Sequence, residues 1–386
     1  MDKEILKPFD SIRPFEPEEL PEVFDRLLSN EQFVMVVAAV FKDVPFEQLA
    51  QKMRSCKTNL DFQFAFCYSF IKNLLQKASL GCDINVEAID MDKRYTFVSN
   101  HRDIVLDSAL LDVLLVDAGC KTTCEIAIGD NLLSLPWVKD LVRINKSFIV
   151  ERAVGMRQML MSSKRLSEYM HLVVGTKHDN VWIAQREGRA KDSNDRTQDA
   201  ILKMMVMGGE GSVAERLAQL HLVPLAISYE YDPCDFLKAQ EFQLKRDVPG
   251  WKKSAQDDVV SMQTGIMGFK GRIHYHCAPC IDAWLKEIAP DTPKTELFPL
   301  IATHIDKEIH ANYRVKPVNV VALDELNGTT DYAGEYSAEN KAFFDERIER
   351  CLAQIDLPNK DEAFLRNRLL TMYANPAVNY LATRQK

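Results

Sequence analysis

One imidazole in this chain is placed to move a proton. His101 follows the strand-like run Tyr95-Thr96-Phe97-Val98 and precedes the apolar helical run Leu110–Val116, with Asp103 and Asp107 in the linking stretch. A neutral imidazole accepts a proton near pH 7, and a carboxylate beside it fixes its tautomer and stabilises the cation that forms. Three further segments follow in order. Ser147-Phe148-Ile149-Val150-Glu151-Arg152 is a strand delivering an arginine at its end. Glu187-Gly188-Arg189 comes just after the strand Trp182-Ile183-Ala184, with Lys191 and Arg196 close behind, and Leu222-Val223-Pro224-Leu225-Ala226-Ile227-Ser228 is an apolar strand carrying a proline. Guanidinium groups bind phosphate oxygens in pairs and stay charged when partly desolvated. Gly188 lets backbone come close to a ligand. A base beside such a clamp fits a phosphorylated alcohol whose hydroxyl loses its proton.

Those side chains need elements that converge. Strand-like runs at 86–89, 95–98, 125–128, 148–150, 181–184, 223–229 and 272–275 alternate with helical patterns at 104–117, 156–173, 197–207, 213–220, 235–246 and 281–288. Such alternation predicts an α/β fold, a mixed, largely parallel sheet flanked by helices. Ligands of these sheets sit beyond the C-terminal strand ends, where His101, Arg152 and Arg189 would all lie. An N-terminal helical domain is expected over 1–80, with helices near 18–29, 31–41, 46–56 and 60–78. The α/β catalytic domain is expected over 81–290. A helical C-terminal extension over 291–386 carries helices near 294–313, 335–354 and 360–374.

The chain has 386 residues and a formal net charge of −8, with nine cysteines. That charge argues against broad nucleic-acid binding, which needs a basic surface. The start, Met1-Asp2-Lys3-Glu4, has no apolar core behind it and does not read as a secretory signal. The apolar runs 33–41 and 110–116 are too short to span a bilayer. The cysteines then read as reduced thiols of a cytoplasmic protein.

The four ordered segments resemble the glycerolipid acyltransferase superfamily, which includes glycerol-3-phosphate and lysophosphatidate acyltransferases. Asn100-His101 with its following acids is similar to that family's Asn-His-x4-Asp. Phe148 to Arg152 is similar to Phe-Ile-x-Arg with one extra residue, Glu187-Gly188-Arg189 to Glu-Gly-x-Arg with one fewer, and Val223-Pro224 to its apolar fourth block. The likeness runs over about residues 85–280. It implies O-acylation of glycerol 3-phosphate or a lysophospholipid in phospholipid biosynthesis. The donor would be acyl-CoA or acyl carrier protein, a co-substrate rather than a bound cofactor. It also implies work at a membrane surface, here expected to be peripheral, at the inner face. Under this resemblance His101 is the general base. Arg152, Arg189, Lys191 and Arg196 hold the phosphate, and Glu187 holds the acceptor's other hydroxyl or an arginine.

The family's acid falls on Leu106 here. Asp107 is one residue late and Asp103 is early, so Asp107 is expected to orient the ring and Asp103 to cap the helix. A different acceptor, an amino-acid or sugar lipid, or a non-catalytic acyl-binding protein keeping the fold, are the alternatives. No metal is expected: His274, His276, Cys277 and Cys280 lack a second ligand pair at finger-like spacing. For the membrane contact, the aromatic 60–78 helix and the apolar 104–117 helix are the two candidate faces.

Overall fold

The computed structural model describes residues 3–152 and 155–385. Short apolar runs become strands because their alternate side chains are buried on opposite faces. Val98, Val181, Ile183 and Leu222 pack on one side, against Leu166, Tyr169 and Met170 of the Met156–Leu172 helix and Ile301 and Ile305 of the Lys294–Ala311 helix. Phe97, Trp182, Val223 and Leu225 pack on the other. Their partners are Leu110, Leu111 and Leu114 of the Leu106–Asp117 helix and Ile71 and Leu74 of the Ser69–Ala78 helix.

The strands are β1 (Cys82–Asn85), β2 (Thr96–Ser99), β3 (Cys124–Gly129), β4 (Ser147–Val150), β5 (Asn180–Ala184), β6 (Leu222–Tyr229) and β7 (Ile273–Cys277). They form one seven-stranded sheet in the order β1-β7-β6-β2-β5-β3-β4. All neighbours run parallel except β6 and β7. The largely parallel sheet with helices on both faces is therefore the α/β architecture that the alternation predicts. In register, Ser99 of β2 lies beside Ala184 of β5, and Gly129 of β3 beside Val150 of β4. The ends of β2, β4 and β5 therefore share one edge.

The first strand differs from expectation. The apolar run 86–89 forms no strand; β1 is the more polar Cys82–Asn85, paired with β7 from Cys82↔Ile273 to Asn85↔His276. It ends there because Asn85 Oδ1 accepts the Glu87 N–H at 3.0 Å, closing a side-chain turn. Val86 and Ile89 instead pack as half-buried flanks of the core. Among the described residues, three longer helices outside the expected set are present, Pro136–Ile144, Ala255–Met267 and Pro317–Asn327, besides the short Lys3–Leu6.

The N-terminal helices Leu20–Leu28, Glu31–Val40 and Phe46–Ser55 share an apolar cluster with Asn59–Phe62 and the π-helical Gln63–Tyr68. Phe62 and Phe66 stack in it with ring centroids 5.1 Å apart. Ile144, at the end of the Pro136–Ile144 helix, completes the cluster. Of the aromatics on the expected 60–78 face, Phe66 is only 8% exposed, while Phe64 is 45% exposed. The other expected face is corrected: nearly every side chain of the Leu106–Asp117 helix before its last turn is buried between the sheet and the Ser69–Ala78 helix. No helix among the described residues is long and apolar enough to cross a membrane. At the other end of the chain, Pro317–Asn327, Ala338–Gln354 and Glu362–Ala382 close around their own cluster.

Candidate active site

Asn100 fixes the loop that bears His101. Its amide donates to the Ile227 carbonyl at 2.9 Å and its Oδ1 accepts the Ile227 N–H at 2.8 Å, which ties the end of β2 to β6. His101 Nδ1 then lies 2.8 Å from Asp107 Oδ2. The same oxygen accepts the backbone N–H groups of Arg102, at 2.6 Å, and Asp103, at 3.1 Å. A carboxylate so placed takes Nδ1–H as a donor and leaves Nε2 free to accept a proton. Tyr275 of β7 donates to the Asp107 carbonyl at 3.0 Å, pinning the helix start. Trp182 of β5 sets its ring edge-on to the imidazole, centroids 5.7 Å apart, while its Nε1–H donates to Ser99 Oγ at 3.0 Å.

Asp103 has a different job. Its Oδ1 accepts the Val105 and Leu106 N–H groups at 2.9 and 2.8 Å, so it caps the following helix. Burial, with the Asp107 charge behind it, pushes its carboxyl above the usual range. The Ala255–Met267 helix passes directly against it: any Cβ added at Gly265 would collide with the Asp103 carboxylate.

The arginines divide. Arg189 is 7% exposed and its Nη1 has no hydrogen-bond partner among the described residues. Its charge acts on Asp103 and Asp232. It lines a cleft with Lys191, Trp251 and Lys253. Lys191 pairs with Glu241 at 2.9 Å. Burial, with Arg189 beside it, lowers its ammonium to about 8. Lys253 donates to Asp258 at 2.6 Å and Ser261 at 3.0 Å. Arg152 is half exposed and pairs with Glu187 across the ends of β4 and β5, at 3.1 Å. Its N–H donates to Asp130 Oδ2 at 3.0 Å. Gly188 turns with φ +67°, a conformation that favours glycine.

Arg196 points away from that cleft, into the C-terminal helices. It donates to His310 Nδ1 at 3.3 Å and to Asn379 Oδ1 at 2.9 Å. His310 Nε2 in turn donates to the Asp195 carbonyl at 3.1 Å, so its ring must be neutral. Burial, then the charges of Arg196 and Arg102, lower it to about 3. The unfolded chain binds this proton more tightly, at about 6.5. The contribution of His310 to stability is therefore whole above about 6.5 and fades as pH falls toward 3. Denaturant unfolding at pH 7 and pH 5 will show His310→Gln losing less stability over that interval than the wild type, by up to about 2 kcal/mol.

Sequence reasoning missed Arg102, Trp251 and Lys253. Arg102 forms a buried ion pair with Asp195 that joins the His101 loop to the loop after β5. Its place next to His101 was the available signal. Trp251 and Lys253 precede a helix that periodicity did not reveal. At the opposite end of the sheet, before β6, His221 Nδ1 lies 2.6 Å from Asp282 Oδ2. These two and Cys280 hold donor atoms within 4.8 Å of one another. Cys277 is buried apart from them, and His274 pairs with Asp83 instead.

An imidazole oriented by a carboxylate thus lies on the C-terminal edge of a largely parallel sheet, beside buried cations. The family comparison bears on the class. Residues 83–228, which hold all four segments and β1 through β6 but for Cys82 and Tyr229, match the acyltransferase family model. That part of the chain is similar to an acyltransferase domain, and acyl transfer is the class of reaction this match supports. Among solved structures it is similar to the 1-acyl-sn-glycerophosphate (LPA) acyltransferase PlsC from Thermotoga maritima. The two are 13% identical over 75% of this chain and 97% of that one, with a TM-score of 0.37. Comparison with the curated proteins gave no match.

Proposed function

We propose that this enzyme moves a fatty acyl group from an acyl-CoA or acyl carrier protein thioester to the hydroxyl of glycerol 3-phosphate or a lysophospholipid. His101 Nε2 takes the hydroxyl proton as the oxygen attacks the thioester carbonyl. The tetrahedral intermediate collapses with loss of the C–S bond, and the departing thiolate takes the proton back from the imidazolium. Asp107 holds the ring and stabilises its charged form. Arg189 and Lys191 receive the acceptor's phosphate, while Arg152 and Glu187 stand as a pair at the rim. The carrying observation is the His101–Asp107 pair on the same sheet edge as Arg189, a buried guanidinium with a free N–H. A phosphate oxygen would satisfy that donor.

A second reading has some support. Arg152 and Lys191 each already face a glutamate. A site neutralised this far also suits a phosphate-free acceptor, such as an amino-acid or sugar lipid. Turnover of a labelled acyl thioester against a panel of phosphorylated and phosphate-free acceptors separates the two. The expected result is turnover confined to the phosphorylated alcohols. Lys191 adds a pH signature. It is charged below about 8 and neutral above it. KM for a phosphorylated acceptor is therefore expected to rise between pH 7 and 9, and to rise less in Lys191→Arg. A flat KM in the wild type would remove Lys191 from the phosphate site. No turnover with any acceptor would favour a non-catalytic acyl-binding protein.

A further inference from the structure

Three donor groups of different chemistry meet at the end of the sheet away from His101. His221 is the last residue before β6, and Cys280 and Asp282 follow β7, where the Asp282–Leu285 helix begins. The two segments are far apart in sequence and are held together by backbone. Ala278 N–H donates to the Pro224 carbonyl at 2.9 Å and Ile281 N–H to the Leu222 carbonyl at 3.0 Å, which carries the β6–β7 pairing past the end of β7. His221 itself has φ +48°, a left-handed conformation uncommon for a residue with a side chain. The frame that presents these groups is therefore built without any ligand.

The donor set is chemically specific. An imidazole nitrogen, a thiol sulfur and a carboxylate oxygen lie within 4.8 Å of one another. Ligand atoms of a tetrahedral zinc site stand about 3.3–3.6 Å apart, given metal bonds of about 2.0–2.3 Å. The contact of 2.6 Å between His221 Nδ1 and Asp282 Oδ2 reaches that spacing by a side-chain shift of about 1 Å or less. The other Asp282 oxygen, Oδ1, is buried and has no hydrogen-bond partner among the described residues. A buried acceptor left without a donor is costly, and a cation held by this carboxylate answers it. Thiolate and imidazole select zinc over magnesium and calcium, which take oxygen ligands. His221 is exposed and the other two are half-buried, so an ion enters from solvent and keeps water as its fourth ligand.

We infer that His221, Cys280 and Asp282 bind one zinc ion, which staples the start of β6 to the segment leaving β7. On binding, the Cys280 thiol gives its proton to solvent and its sulfur bonds the metal. The ion lies across the sheet from His101 and takes no part in acyl transfer, so the inference stands apart from the proposed reaction. What it holds is the antiparallel pair β6 and β7, and β6 also carries Ile227, the residue that fixes Asn100.

Titration of the full chain, reduced and stripped with a chelator, with Co²⁺ and then Zn²⁺ tests this. Cobalt is expected to give a thiolate-to-metal charge-transfer band that saturates at one equivalent and that zinc bleaches. Cys280→Ser should abolish the band, while Cys82→Ser, at another half-buried thiol, should keep it. A partner that only orients a metal ligand is worth about 10–100-fold in affinity, so loss of a ligand should cost at least about tenfold. That loss is expected for His221→Asn, whose new side chain tolerates the positive φ, and for Asp282→Asn, read by competition with a chelator. The metal-free variants should unfold near the metal-free wild type, which separates lost binding from lost folding. Zinc should raise the thermal midpoint of the wild type by a few degrees and leave that of Cys280→Ser where it was. Three results would each overturn the inference: no band in the wild type, a band that survives Cys280→Ser, or zinc affinity unchanged in His221→Asn and Asp282→Asn. Zinc that binds without moving the wild-type midpoint would end its role as a staple.

Discussion

His101→Gln is expected to lower kcat about 10²–10⁴-fold while KM for both substrates changes little, because proton transfer by a positioned base contributes on that order. Glutamine fills similar space and can still donate to Asp107, but it cannot take the hydroxyl proton. Single-turnover measurement with a labelled thioester isolates this step from product release. Asp107→Asn should cost a comparable factor for a different reason. The carboxylate oxygen now accepts three N–H groups: the ring's and those of residues 102 and 103. An amide whose oxygen keeps these contacts still lacks the negative charge that stabilises the imidazolium, and one turned the other way points its own N–H groups at these donors. Asp103→Asn, by contrast, keeps the capping oxygen and should retain most activity. If His101→Gln turns over like the wild type, the base lies elsewhere and the mechanism fails. If Asp103→Asn proves the more damaging of the two acid variants, the orienting acid has been misplaced.

The sequence made the sheet legible because each buried strand is a short apolar run between turn residues, and six of the seven fell close to where they were expected. The exception, β1, is held by backbone pairing to β7 and not by an apolar pattern of its own, so Cys82-Asp83-Ile84-Asn85 carried no signal. Pro317–Asn327 was missed although Pro317 opens it and Gly328, at φ +66°, ends it. It is apolar nearly all round, with Val318, Val320, Val321, Ala322 and Leu323 all buried, so no 3.6-residue periodicity marks it. Ala255–Met267 hid for the opposite reason. Its Ser254–Asp257 capping box is clear, but its interior mixes aspartates, valines and a glycine without an apolar stripe. The His101–Asp107 pair was legible as neighbours on the chain. The division of the arginines was not. Which guanidinium is buried depends on the helices that pack around it, and Arg196 is drawn to His310 and Asn379, more than a hundred residues away in sequence.

The largest stability effect is expected at the Arg102–Asp195 pair. Both side chains are buried, at 7% and 0% exposure. Removing one partner leaves a charge with neither water nor a counter-ion, which typically costs about 3–5 kcal/mol. Asp195→Ala should therefore lower the unfolding free energy by about that much. Arg102→Met should cost less than Asp195→Ala, because Asp195 can shed its charge by taking up a proton and arginine cannot release one. The double variant Arg102→Met with Asp195→Leu removes both charges and should recover much of the loss, since an apolar pair of similar volume is often as stable as a buried ion pair. Denaturant unfolding of the four proteins gives the coupling directly. Activity should not follow stability. The pair is the link between the His101 loop and the loop that carries Arg189, and apolar contact fixes neither loop's orientation. A restored double variant with reduced kcat would show that this ion pair positions the site as well as holding the fold. Recovery of both would make it purely structural. A double variant no more stable than Asp195→Ala would mean that the two charges do not compensate each other at all.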